Sequence, residues 1–447
     1  MTRPVFSGGF NQYGASAFLV VFSLGFFGQA CHGSFCNQKA PIARLAPELS
    51  LPRQNLRNTD KVKHVFVLML ENRSYDHIFG CSNFEGQGPD GSPARADGLT
   101  GQENNIHNGE TYYVTLGGQD RLDVGPPHHF DDMYKQLGGI CPVFAEGESY
   151  PVITNTGYVA SYASNSILFW KQPKYPGAVM EVFRPDQLPY MNALAKSFAV
   201  ADRWHASVPG PTFPNLFFAH AATSGGSYDQ LTGIWKQWKS CLNNEASCNM
   251  HNNLTPFLRG HTLKSETIFK RMAGKKGSWR VYYHDFPATA LLNDLRHELK
   301  NSRMPSGRHE TNPNKHFRKF GDFIKDLAEE SGETFPQYVY IEPKFGAFNH
   351  FKDGNSMHPE GAASAGDAIV KKVYEAIRRS KFWNNSLLII TFDEGGGILR
   401  PCHPAKDRPS RRYKKEREIR FLRSGRQSAR NCGQPIHQGK YGGPHHL

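Results

Sequence analysis

Long apolar runs are what this sequence has least of. The longest, Ala15 to Phe27 (ASAFLVVFSLGFF), falls short of the roughly 20 residues a helix needs to cross a bilayer, and nothing later approaches that length. A membrane-spanning architecture is therefore not expected. No Cys-x-x-Cys pair occurs anywhere, which argues against a zinc knuckle. No internal repeat or low-complexity tract is present either.

Positive charge is plentiful but unevenly placed. The formal net charge is +13, yet from Ile398 onward 13 Lys or Arg face only 3 Asp or Glu, leaving the preceding chain close to neutral at +3. A nucleic-acid partner is accordingly not expected for the body of the protein. The 447 residues suffice for a large core, and a hydrophobic content of 38% with 12% aromatics fits a folded enzyme. The 43 Gly and 29 Pro point to many irregular connections, where function tends to sit.

The run Ala15 to Phe27 is followed by Gly28-Gln29-Ala30, a small-x-small pattern. Residues 1–30 read as a signal peptide, 31–60 as a linker, and the protein as secreted or extracytoplasmic. Six of the eight cysteines precede Ile398 (Cys31, Cys36, Cys81, Cys141, Cys241 and Cys248), an even number that suits disulfides in an exported chain.

Lys63 to Leu70 (KHVFVLML) has the continuous apolar character of a strand buried on both faces. It stops abruptly at Glu71-Asn72. Gln187 to Phe198 shows helical spacing with Pro189 in its first turn. Trp279 to Tyr283 and Tyr338 to Ile341 read as strands, the second meeting Glu342. Asp367 to Arg379 carries Ile369, Val370, Val373 and Ile377 on one helical face and leads to a strand over Leu387 to Phe392, which ends in Asp393-Glu394-Gly395-Gly396-Gly397. Two central strands thus end in acidic residues, and open α/β sheets build their sites at such ends. Three carboxylates and an amide oxygen suit a hard divalent cation.

These residues carry a resemblance. Glu71-Asn72-Arg73-Ser74-Tyr75-Asp76-His77 resembles the ENRSFDH signature of the phosphoesterases that include bacterial phospholipases C, acid phosphatases and plant non-specific phospholipases C. Gly210-Pro211-Thr212-Phe213-Pro214-Asn215 resembles their GPTxPNR segment, and Asp393-Glu394-Gly395-Gly396 their DEHGG segment. Glu342-Pro343-Lys344-Phe345 and His358-Pro359 before Val373-Tyr374-Glu375-Ala376-Ile377-Arg378 add smaller matches, in consistent order over 61–397.

The resemblance implies an alkaline-phosphatase-like α/β/α sandwich with inserted loops over 61–397, incomplete at its C-terminal end. It implies metal ligation by Glu71, Asn72, Asp393 and Glu394, a nucleophile in Thr212, a phosphate contact from Asn215, and proton transfer by His128 and His358. The implied cofactor is a divalent metal ion. The implied substrate is a phospholipid, cleaved to diacylglycerol and a phosphorylated headgroup, with peripheral membrane contact. A phosphomonoesterase of the acid phosphatase kind, or an inactive phosphate-binding protein, is the alternative. Two departures stand out: Leu216 occupies the place of the usual Arg, and Gly395 that of the usual His.

After Gly397 the orderly αβ pattern gives way to a segment poor in apolar residues and dense in Arg and Lys. Permitted codons for Ile398 to Pro409, read one base later, can spell FYDHVTPPKTV, and those for Ile419 to Leu447 can spell FDFYGLGVRVPAIVVSPSIKASTVDHTI. Both resemble the family's continuation. Residues 398–447 are therefore expected to be an out-of-frame basic tail, and the chain as written to be inactive.

Overall fold

A computed structural model describes residues 5–7, 18–24, 62–88, 91–138, 153–164, 172–225, 227, 265–295, 298 and 316–399. The interval 31–60, read as a linker, lies outside the described residues, as does the basic tail beyond Leu399.

Ten strands form one mixed sheet. In chain order they are β1 (Val5–Ser7), β2 (Phe18–Leu24), β3 (His64–Leu70), β4 (Glu85–Gln87), β5 (Pro93–Arg95), then, after a hairpin and a short pair formed by β6 to β9 (Asn104–His107, Glu110–Tyr113, Thr115–Leu116, Glu181–Val182), β10 (Ala199–Trp204), β11 (Trp279–Tyr283), β12 (Phe317–Lys319), β13 (Tyr338–Glu342) and β14 (Ser386–Phe392). The spatial order is β12-β11-β13-β3-β14-β2-β10-β1-β4-β5. Pairing is parallel from β12 to β10 and antiparallel at the edge formed by β1, β4 and β5. The class is α/β with a central parallel sheet.

The apolar periodicities place these elements. Phe66, Leu68 and Leu70 of β3 and Leu388, Ile390 and Phe392 of β14 pack against Ile369, Val370, Val373 and Ile377 of the helix Ala363–Arg379 and against Met191 and Leu194 of the helix Pro189–Ser197. Burying side chains of this size contributes roughly 1.5–3 kcal/mol each. On the opposite face, Leu216 and Phe217 of the helix Thr212–Ala221 join Phe269, Val281 and Tyr340 in a second core. That face is less complete. Along β3 and β14 the buried residues alternate with Val65, Val67, Met69, Leu387 and Ile389, which are only partly buried although both strands lie inside the sheet. A third cluster, from Leu99, Val114, Val124, Tyr158, Tyr162 and Val179 to Leu399, consolidates the loops that follow β3.

The apolar run expected to be a signal peptide lies partly among the described residues. Its segment Phe18–Leu24 forms β2, parallel to β14 on one side and β10 on the other. A heptamer apolar at every position but Ser23 satisfies the demands of an interior parallel strand as well as those of an export signal. Just past the boundary drawn at Gly397, Ile398 and Leu399 are buried and Leu399 donates its N–H to the Val179 carbonyl at 3.1 Å.

Candidate active site

The carboxyl ends of neighbouring strands carry the acidic residues to one edge. β3 and β14 pair with Leu70 opposite Phe392, so Glu71-Asn72 and Asp393-Glu394 emerge side by side. The Asp393 N–H donates to the Leu70 carbonyl at 3.1 Å and the Glu71 N–H to the Ser356 carbonyl at 2.7 Å, which fixes both strand ends. Asn72 then turns into the left-handed region at φ 56°, a conformation Asn tolerates better than most residues. Its N–H donates to Asp393 Oδ1 at 2.9 Å, and the Glu394 N–H reaches the same oxygen at 2.7 Å.

Glycine is required where this turn closes. Gly396 sits at φ 68°, and a Cβ there would lie 2.0 Å from the Asn72 carbonyl oxygen. Gly395 is different: a Cβ there meets only Met133 Cε, at 3.9 Å, so the usual His would find room for its first atom.

Burial leaves the site electrostatically unbalanced. Glu71, Asn72, Asp393 and Glu394 are all nearly inaccessible, and Glu71 Oε2, Asn72 Oδ1, Asp393 Oδ2 and Glu394 Oε1 have no hydrogen-bond partner. Desolvation, followed by the charge of Asp393, pushes Glu71 and Glu394 well above the usual carboxylate range. Desolvation raises Asp393 to about 6, opposed by the N–H of Asn72 and by the hydroxyl of Thr212. An unpaired buried acceptor costs about 1–3 kcal/mol, more when charged. A set of oxygen atoms lacking donors fits a hard divalent cation, which would neutralise the carboxylates that burial penalises. Among the described residues no three His, Cys, Asp or Glu side chains already close around one point. A cation bound here would draw on the unpartnered amide oxygen of Asn72 as well as on the carboxylates.

Thr212 opens the helix Thr212–Ala221, following Pro211 at its N-cap. Its hydroxyl reaches the Asp393 carboxylate. The sequence candidates for metal and nucleophile are thus brought together, with the nucleophile at a helix N-terminus, where N–H groups and the helix dipole favour an anion.

The remaining candidates, Asn215, His128 and His358, are held by neighbouring groups. Asn215 is not turned outward as a phosphate donor: its Nδ2 donates to the carbonyls of Val208, Gly210 and Pro211 at 3.1, 3.0 and 3.2 Å, and its Oδ1 accepts the Val208 N–H at 2.9 Å. It ties down the loop that presents Thr212. His128 has both ring nitrogens engaged, Nδ1 at 2.7 Å from the Pro126 carbonyl and Nε2 at 3.1 Å from Asn72 Nδ2. A carbonyl can only accept, so Nδ1 carries the proton and Nε2 receives the Asn72 amide. This arrangement orients Asn72 and leaves no ring proton for a leaving group. His358 remains. It is buried, stacks on Phe351 with ring centroids 3.5 Å apart and meets the His128 ring edge-on at 6.0 Å. Leu216 belongs to the core and replaces the usual Arg without contributing a polar contact.

Ser356, Asp285 and Glu360 near the site carried no clear sequence signal, whereas Arg73 belongs to the Glu71–His77 motif. Ser356 hydrogen-bonds the Glu71 carboxylate, Asp285 after β11 adds a negative charge acting on Glu71, and Arg73 lies fully buried, donating Nε–H to the Met357 carbonyl at 2.8 Å. Burial lowers Arg73 to about 9. Glu360 contacts His358, as developed below.

Fold and site together define an α/β protein with a dense acidic centre at the carboxyl edge of a parallel sheet and a hydroxyl nucleophile candidate beside it. The chain belongs to the Phosphoesterase family, whose model matches residues 62–439 and so continues past Gly397. It is 32% identical over 344 residues to non-specific phospholipase C5 of Arabidopsis thaliana, covering 75% of this chain and 56% of that protein. It is 31% identical over 342 residues to non-specific phospholipase C6 of the same plant, covering 75% and 54%. To the hemolytic phospholipase C of Pseudomonas aeruginosa it is 25% identical over 373 residues, covering 77% and 44%. The chain spans about half the length of these relatives.

Proposed function

We propose that this protein is a phosphoester hydrolase of the phospholipase C type, built on an alkaline-phosphatase-like α/β/α sandwich, that releases diacylglycerol and a phosphorylated headgroup. The observation that carries the reading is the approach of the Thr212 hydroxyl to Asp393 amid buried oxygens that lack donors. The names of the relatives support the substrate class. Glu71, Asn72, Asp393 and Glu394 would hold the divalent cation, which when bound lowers the pKa of a nearby hydroxyl and offsets phosphate charge.

The chain's own residues supply the rest. Thr212 passes its hydroxyl proton to the neighbouring Asp393 carboxylate as Oγ1 attacks phosphorus, the bond to the alkoxide oxygen breaks, and that oxygen takes a proton from His358. Water then hydrolyses the phosphothreonine. Backbone N–H groups at the start of the helix Thr212–Ala221 face the developing charge. The substrate implies contact with a lipid surface. Among the described residues no helix is long and apolar enough to cross a membrane. An oxidising, extracytoplasmic setting is supported by Cys81, which is disulfide-bonded.

Purified protein restored to the shifted frame after Gly397, assayed with and without added divalent metal against a chromogenic phosphomonoester and phosphatidylcholine vesicles, separates the readings. Diacylglycerol release is expected; turnover of the monoester alone would make it a monoesterase, and phosphate-analogue binding without turnover an inactive binding protein. Glu71→Gln and Asp393→Asn should lower metal content and activity together. Unchanged metal stoichiometry in both variants would sink the proposed site.

A further inference from the structure

His358, one of the two histidines expected to move protons, has a titratable partner buried against it. His358 Nδ1 lies 3.2 Å from Glu360 Oε2, and their side chains are 5% and 8% exposed. Neither atom has a hydrogen-bond partner, and their own approach is close without being aligned as a hydrogen bond, so a small turn of the Glu360 carboxyl would complete it. Two acceptors at that separation, removed from water, are tolerable only if a proton lies between them. The surroundings hold the pair in place. Phe351 stacks on the imidazole at 3.5 Å with planes 9° apart, the His358 N–H donates to Ser356 Oγ at 3.3 Å, and the Gly125 N–H donates to the Glu360 carboxyl.

We propose that Glu360 is the positioning residue for His358: it shares a proton with Nδ1, so that Nε2, on the opposite edge of the ring, carries the proton delivered to the leaving oxygen. This rests on the phosphoesterase reading above. Desolvation agrees with it, pushing Glu360 up to about 8 and His358 down to about 3, so near neutrality the carboxyl keeps its proton and the ring is neutral. With Oε2–H donated to Nδ1, a neutral imidazole bears its own proton on Nε2. When that proton passes to the departing alkoxide, the Nε2–H bond breaks and the alcohol O–H forms. The carboxyl proton then moves to Nδ1. The ring never becomes an imidazolate, and the charge left on the Glu360 carboxylate is eased by His350 and Lys352. Arg73, whose charge acts on His358, opposes a permanently cationic ring.

The test compares Glu360→Gln, which keeps the shape and can donate to Nδ1 but cannot hand over a proton, with Glu360→Ala and Glu360→Asp. Turnover is measured on a short-chain phosphatidylcholine, whose alkoxide needs a proton to leave, and on a nitrophenyl phosphoester, whose phenolate does not. A positioned general acid contributes about a hundredfold or more. The Gln variant should therefore lose about a hundredfold more on the alkyl ester than on the nitrophenyl ester, with Asp partly restoring the difference. Equal losses on both substrates, or none, would overturn the proposal. A second readout does not depend on activity. Ring nitrogen NMR of the wild-type chain, with the His358 signal identified by its loss in His358→Asn, should show Nε2 protonated and Nδ1 accepting, an arrangement kept in Glu360→Gln and lost in Glu360→Ala. A ring protonated on Nδ1 in the wild type, or unaltered in Glu360→Ala, overturns it. A chain restored to the shifted frame after Gly397 and still inactive on both substrates would refute the phosphoesterase reading and leave the NMR result to decide on Glu360.

Discussion

Asn72 and His128 stand 3.1 Å apart, side-chain nitrogen to ring Nε2, and that contact decides which way the Asn72 amide faces. Because Nε2 accepts, Asn72 presents its nitrogen to the histidine and its oxygen, which has no partner, to the acidic centre. His128→Phe should therefore weaken metal binding by roughly 10–100-fold, the usual cost of losing a residue that orients a ligand. Titration of metal into the metal-free protein checks this, and an unchanged affinity would separate His128 from the site.

Thr212→Val keeps the branched shape at the start of its helix and deletes only the attacking oxygen. Turnover in an active form of the protein should fall by roughly a thousandfold or more, with little change in melting temperature or metal content, since an interaction made only on the way to the transition state is lost. Substantial residual turnover would exclude Thr212 as the nucleophile.

Glu342, at the end of β13, makes stability depend on pH. It is buried, its Oε1 accepts the Thr289 N–H at 2.8 Å and its Oε2 has no partner. Desolvation raises it from 4.5 to about 8. The folded chain thus keeps a proton that the unfolded chain has released, and the associated stability is fully present below about 4.5 and lost as pH rises towards 8. Metal-free wild type should melt lower at pH 8 than at pH 5, and Glu342→Gln should flatten that difference. Melting curves of both proteins at the two pH values, with chelator present, provide the comparison; parallel curves would count against this role.

The half-covered face of β3 and β14 bears on the basic tail. Val65, Val67, Met69, Leu387 and Ile389 are partly exposed inside a sheet whose interior strands should be covered on both sides. We propose that the reading frame shifts after Gly397 and that the restored segment supplies the missing cover. The chain as written should bind a hydrophobic dye and be inactive, whereas the restored chain should bind little dye and hydrolyse phosphoesters. Resequencing the transcript across the Gly397 codon decides the point, and an intact frame encoding a soluble, active enzyme would refute it.

Much of the parallel core was legible because its chemistry is local. The run expected over Lys63 to Leu70 became His64–Leu70, the helix expected from Asp367 began at Ala363, and Trp279 to Tyr283 was a strand as read. Continuous apolar runs and a period near 3.6 report burial directly. The edge strands β1, β4 and β5 are three residues each, too short for periodicity to register. At the site, residues adjacent in sequence to a strand end were readable. The Asn72 to His128 contact, the role of Asn215 in its own loop and the pairing of Glu360 with His358 were not, because each depends on how loops fold back and not on any residue pattern. The strand Phe18–Leu24 was hidden for another reason, since its composition serves export and sheet equally well.

That strand has a consequence for maturation. With β2 seated between β14 and β10, removing residues 1–30 would not trim a free end but take out a middle plank, leaving two strands about 10 Å apart with their facing N–H and C=O groups bare. Cleavage after residue 30, were the run an export signal, and assembly of this sheet would be competing fates for the same seven residues, and whichever came first would foreclose the other.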